Sequence, residues 1–130
     1  MRHWTCSRGN IKNIMKLTES QIQKQCVAWF RLRFPGIEPL FFSVPNGGAR
    51  NVWTGRVMRE EGARAGVADL ILLIPKGGYA SLCIEMKTAK GKQSAAQVAF
   101  MELARKMRNK YVVCRSFDEF QKEVNEYLGL

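Results

Sequence analysis

Two apolar segments around a diglycine constrain this chain more than anything else in it: Val67 to Ile74, then Pro75-Lys76-Gly77-Gly78, then Tyr79 to Lys87. Strand-forming runs joined by residues that accept a positive φ predict a β-hairpin. The first run is apolar on both faces, which places it in the middle of a sheet. The second alternates, with Leu82, Ile84 and Met86 on one face and Ser81, Cys83, Glu85 and Lys87 on the other. If the hairpin is symmetric about Gly77, Asp69 and Glu85 lie equally far from the bend and meet across the strands, with Lys87 on the same face. A slip of one residue would separate the two acids.

Other elements follow from local signals. Thr18 and Gln21 form a capping box opening a helix of about 16 residues that carries Ile22, Cys26, Trp29 and Phe30 on one face and stops before Pro35-Gly36. Leu40 to Val44 is a short strand cut off by Pro45-Asn46-Gly47-Gly48. A loop or short helix runs from about Thr54 to Glu61, closed by Gly62. After the hairpin, Ser94 and Gln97 cap a helix to about Arg108, Tyr111 to Cys114 is a strand, and Ser116 with Glu119 opens a last helix bearing Phe120, Val124 and Tyr127. The order α-β-β-β-α-β-α predicts an α/β fold, a mixed sheet flanked by helices.

The chain has 130 residues, the size of one domain. Residues 1–16 hold Arg2, Arg8, Lys12 and Lys16 with no acid and read as a flexible basic tail, leaving 17–130 as the folded domain. No apolar run approaches the roughly 20 residues of a membrane span, and no secretory h-region follows the basic start. Cys6, Cys26, Cys83 and Cys114 are scattered and His3 is the only histidine, so a zinc site lacks ligands. Reduced cysteines and a cytoplasmic location are expected, with no membrane partner and no small-molecule cofactor.

Charge gives the first functional direction. Lys plus Arg number 21 against 11 acids, a net charge of +10, which suits a polyanion such as nucleic acid, although high charge also serves solubility alone. Two carboxylates about 5 Å apart repel by roughly 3 kcal/mol at an effective dielectric near 20, more than one lysine offsets. A divalent cation is the usual remedy, and all-oxygen ligation suits Mg²⁺ or Mn²⁺. Such an ion polarises a phosphodiester and acidifies a water, while Lys87 orients that water or stabilises developing charge. The bland alternative makes Asp69 a strand-entry cap, and Glu85 with Lys87 a solvated strand end.

Gly66-Val67-Ala68-Asp69-Leu70 followed by Glu85-Met86-Lys87 resembles the core of the PD-(D/E)XK nucleases, and more closely the virus-type replication-repair nuclease family, VRR-NUC. Glu19-Ser20-Gln21-Ile22-Gln23, Pro45-Asn46-Gly47-Gly48 and Ser94-Ala95-Ala96-Gln97 extend the likeness over residues 17 to 120. The resemblance implies a restriction-endonuclease-like fold, with Asp69, Glu85 and the Met86 carbonyl as metal ligands and Lys87 as the catalytic lysine. It implies that Glu19 completes the acidic site and that Gln97 supports Lys87 or the scissile phosphate. Each of these last two has a local alternative: an acid in a first helical turn suits the dipole, and Gln97 is the N3 partner of Ser94. Two positions depart from the family pattern. Ala68 stands where proline is frequent, and Asn109 replaces a glycine ending the penultimate helix, where asparagine can adopt the left-handed conformation.

Basic residues bracket the site in sequence: Arg50, Arg56, Arg59 and Arg64 before it, Lys90 and Lys92 after it. These are the expected phosphate contacts, with Asn46, Gly47 and Gly48 either a plain turn or a point of close approach to a DNA backbone. Trp53 is either core or a stacking platform. No base-reading motif is present, so backbone or shape should be recognised. The expectation is an endonuclease for branched DNA such as Holliday junctions, acting as a homodimer in a bacterial or phage-infected cell. The alternatives are a less selective single-strand or flap nuclease, a nuclease subunit needing a partner protein, and a non-catalytic binding module.

Overall fold

The computed structural model of the protein describes residues 17–45 and 52–130. Helix α1, Glu19–Arg33, opens with the expected reciprocal box between Thr18 and Gln21 and buries Ile22, Cys26 and Phe30. A single 3-10 turn, Glu38–Leu40, leads into strand β1, Phe41–Ser43. Helix α2 spans Val52–Glu60, and strands β2, Leu70–Leu72, and β3, Leu82–Met86, form the hairpin. Helix α3, Ala95–Lys106, is followed by strand β4, Lys110–Cys114, and helix α4, Phe117–Leu128.

The sheet order is β1-β2-β3-β4, antiparallel across the first two pairs and parallel between β3 and β4. β2 is central, as its apolar character predicts, but only three residues long. β3 is central too, and all five of its residues are buried, so the polar face of its alternation is enclosed, not solvated. Helices α1 and α4 cover one face of the sheet, where Phe30, Phe41, Leu70, Ile84, Met86 and Phe120 form the main core. Helix α3 covers the other, with a smaller cluster of Ala68, Cys83 and Tyr111 against Phe100, Met101 and Ala104. Among the described residues no helix is long and apolar enough to cross a membrane.

The hairpin reaches its register by a route other than simple symmetry. Its tip closes between Lys76 and Tyr79, with Gly77 at φ 58° and Gly78 at φ 86°, so the bend is centred between the two glycines. Carried straight into the strands, that centre would set Asp69 opposite Met86. Instead the ladder pairs Leu70 with Ile84, Ile71 with Cys83 and Leu72 with Leu82. Leu73, Ile74 and Pro75 therefore oppose only Ala80 and Ser81, a bulge of one residue on the limb containing proline, which has no N–H for a ladder. The intervening groups bond elsewhere: Leu73 N–H to the Leu40 carbonyl, Ala80 N–H to that of Arg108, and the Tyr127 hydroxyl to that of Ile74.

The end of α3 also differs from expectation. The left-handed residue is Arg108, φ 64°, not Asn109. Asn109 works through its side chain instead, donating to the Ala104 carbonyl and accepting from the Ser81 hydroxyl at 2.7 Å.

Candidate active site

One residue past the ladder's end, Asp69 stands opposite Glu85, as the antiparallel register of β2 and β3 extended by one pair requires. Its backbone carbonyl accepts from Val44 N–H at 2.8 Å, and its Oδ2 accepts from Met86 N–H at 2.7 Å. Burial raises its pKa above the ordinary aspartate value; the Met86 N–H lowers it, the charges of Glu19 and Glu85 raise it, and Lys87 lowers it. The charges of Glu19, Glu85 and Lys87 thus all reach Asp69 at one end of the sheet.

Glu85 is fully buried on the α3 side. Its Oε1 accepts from the Tyr111 hydroxyl at 2.6 Å and from Gln93 Nε2 at 3.3 Å, whereas its Oε2 is buried with no hydrogen-bond partner. An orphaned carboxylate oxygen is costly in a low-dielectric interior. Burial and the neighbouring Glu85 carboxylate both raise the Tyr111 phenol above its usual range, so it stays a donor.

Lys87 continues the parallel ladder, its N–H donating to the Cys114 carbonyl at 2.9 Å. Its side chain lines a cavity of about 530 Å³ shared with Arg59, Arg64, Lys92, Ser94 and Gln97. Among the described residues four cations and no carboxylate line that space, which suits a phosphate chain. Gly66 forms part of its wall at φ +82°, where an added Cβ would lie 2.6 Å from the Ala96 backbone. Only glycine lets the approach to β2 pass so close to the start of α3.

Other expected site residues are placed as follows. Glu19 lies in the first turn of α1, exposed, and lines a separate groove beside β1, while its charge reaches Asp69. Among the described residues no three of His, Cys, Asp and Glu are gathered to share one ion, so Glu19 does not close a cage with Asp69 and Glu85. Gln97 lines the cavity, but its Oε1 accepts from Ser94 N–H at 2.8 Å, which leaves the amide NH₂ for any other role. Arg56 is exposed and paired with Glu60 at 3.4 Å, outside the cavity wall, as is Lys90. Asn46, Gly47, Gly48 and Arg50 lie outside the described residues, as does the tail.

Three residues emerge that sequence reasoning missed. Tyr111 and Gln93 reach Glu85 as above, and Arg115 Nη1 donates to the carbonyls of Thr88 at 2.8 Å and Gly91 at 2.6 Å, holding the loop that follows Lys87. Tyr111 carried a faint signal as the residue with a polar tip in an otherwise apolar strand. Gln93 and Arg115 carried none.

The family model for the VRR-NUC domain matches residues 17–118. A solved structure titled VRR_NUC domain protein superimposes with a TM-score of 0.76 at 26% identity, covering 88% of this chain and 91% of that one. No curated protein matches.

Proposed function

This chain belongs to the VRR-NUC family, and on that footing we propose that it is a metal-dependent endonuclease hydrolysing phosphodiester bonds in branched DNA, four-way junctions among them. The observation that carries the reading is Glu85: a fully buried carboxylate, opposite Asp69, with one oxygen left without a partner. That donor set fits a hard divalent ion. Mg²⁺ characteristically uses one or two carboxylates and keeps several waters, so the absence of a third carboxylate close by among the described residues suits it better than a closed cage would.

Asp69, Glu85 and the Met86 carbonyl would hold Mg²⁺ or Mn²⁺, with Glu19 adding only negative charge from α1 and no ligand. When bound, the ion supplies Lewis acidity to the scissile phosphate and acidifies a water. Lys87, on the cavity side, orients the attacking water and faces the negative charge that builds on the phosphoryl oxygens. The Gln97 amide donates to the same phosphate, and Arg59, Arg64 and Lys92 neutralise flanking phosphates. Recognition by backbone charge without base contacts favours shape over sequence.

The test is cleavage of labelled junction, flap, single-stranded and duplex DNA with and without Mg²⁺ or Mn²⁺. Junction cleavage should require metal and fall by about 10²–10³-fold in Lys87→Ala and Asp69→Asn proteins, with junction binding retained. Survival of cleavage in both variants would overturn the site assignment. The chain would act as a homodimer: Leu73, Leu103 and Met107 expose apolar surface beside Ile71 and Phe100, which supports symmetric pairing. A monomer in sedimentation that cleaves junctions fully would contradict this.

A further inference from the structure

The two oxygens of Glu85 are treated unequally. Oε1 accepts two hydrogen bonds, from the Tyr111 hydroxyl and the Gln93 amide, and Oε2 accepts none although both are enclosed. Three separate elements converge to produce this. The parallel register sets Tyr111 beside Cys83, on the same face as Glu85 two residues on. Two strand residues rise about 6.6 Å, within reach of a tyrosine ring lying along the sheet, so its hydroxyl arrives at the carboxylate. Gln93, in the loop before α3, is itself oriented, because its Nε2 also lies 3.5 Å from Met101 Sδ.

A carboxylate held through one oxygen by two donors cannot rotate without breaking both bonds inside a dry layer. We propose that Tyr111 and Gln93 are positioning residues that lock Glu85 so that Oε2 alone is offered to the divalent ion. This rests on the metal-dependent reading above. Groups that fix a ligating carboxylate from behind contribute to metal affinity without touching metal or DNA. The uneven satisfaction of Glu85 is then built into the fold before any ion arrives.

The experiment is Mn²⁺ titration calorimetry on the full chain without DNA, combined with the Mn²⁺-induced infrared difference spectrum of the carboxylates, for wild type, Tyr111→Phe, Gln93→Leu and the double variant. Tyr111→Phe keeps the ring in the core, and Gln93→Leu leaves the main core untouched, so each covers for the other if one fails to fold. Mn²⁺ should bind about 10–100-fold more weakly when the donors are removed. The Glu85 band, assigned by its loss in Glu85→Gln, should change from the wide splitting of one-oxygen ligation to the narrower splitting of two-oxygen ligation. Unchanged affinity in the folded variants, or an unchanged band, would overturn the positioning role while leaving the nuclease reading standing. If wild type takes up no Mn²⁺, the metal-dependent reading itself fails and this inference with it.

Discussion

The two faces of the sheet are built on different terms. Beneath α1 and α4, thirteen of the described residues form a buried layer of apolar side chains in which Phe30 and Phe41 pack at 4.0 Å between ring centroids. Beneath α3, only Ala68, Cys83 and Tyr111 are buried apolar members among the described residues, and they share the layer with the carboxylate of Glu85. Hydrophobic burial is the dominant favourable term in folding, so the first face carries stability. The second tolerates a charged group and an unpartnered oxygen because the first has already secured the fold. The proposed site sits where the packing is thinnest, and the shared strand β3 transmits rigidity to it: Ile84 and Met86 anchor one face while Glu85 faces the other.

Substitutions can break or sharpen this contrast. The largest effect belongs to the stabilising face: Phe30→Ala should cost about 3–5 kcal/mol in chemical denaturation. If it costs no more than a change under α3, the division between the faces is wrong. Gly66→Ala, at the seam with α3, should cost about 1–3 kcal/mol from its left-handed backbone. It should also weaken junction binding, because the clash with Ala96 displaces Ser94 and Gln97 from the cavity wall. The smallest change has the opposite sign. The folded state raises Asp69 above the ordinary aspartate pKa, so its contribution to stability is fully present below the unfolded value and is lost as pH rises through the folded one. Asp69→Asn, which still accepts from Met86 N–H, should therefore melt higher than wild type at neutral pH. The gap should close as the pH falls below the ordinary aspartate range, and thermal melts across pH measure both.

Much of this was legible from residues close in sequence. The Thr18–Gln21 and Ser94–Gln97 boxes form as read, because a cap is decided within four residues. Ser116 caps α4, but the expected return bond is absent: Glu119 Oε2 accepts from Arg115 N–H instead. The turn residues located the hairpin, and the basic residues Arg59, Arg64 and Lys92 do reach one cavity with Lys87. The Tyr111–Glu85 bond was not legible, since it depends on a parallel pairing between strands whose register no local signal encodes. Neither was the grip of Arg115 on the Thr88–Gly91 loop.

The amino-acid order alone determined that Asp69, Glu85 and Lys87 belong to one hairpin and that basic residues surround it. It did not determine that the acids meet. The diglycine bend by itself aligns Asp69 with Met86, and only the extra residue before Lys76, accommodated because Leu40, Arg108 and Tyr127 take up the stranded backbone groups, brings it across from Glu85. Those partners come from three distant elements, and a shift of one residue reverses which face every side chain occupies. Tertiary packing, through the core that claims Leu70 and Ile84, made that choice.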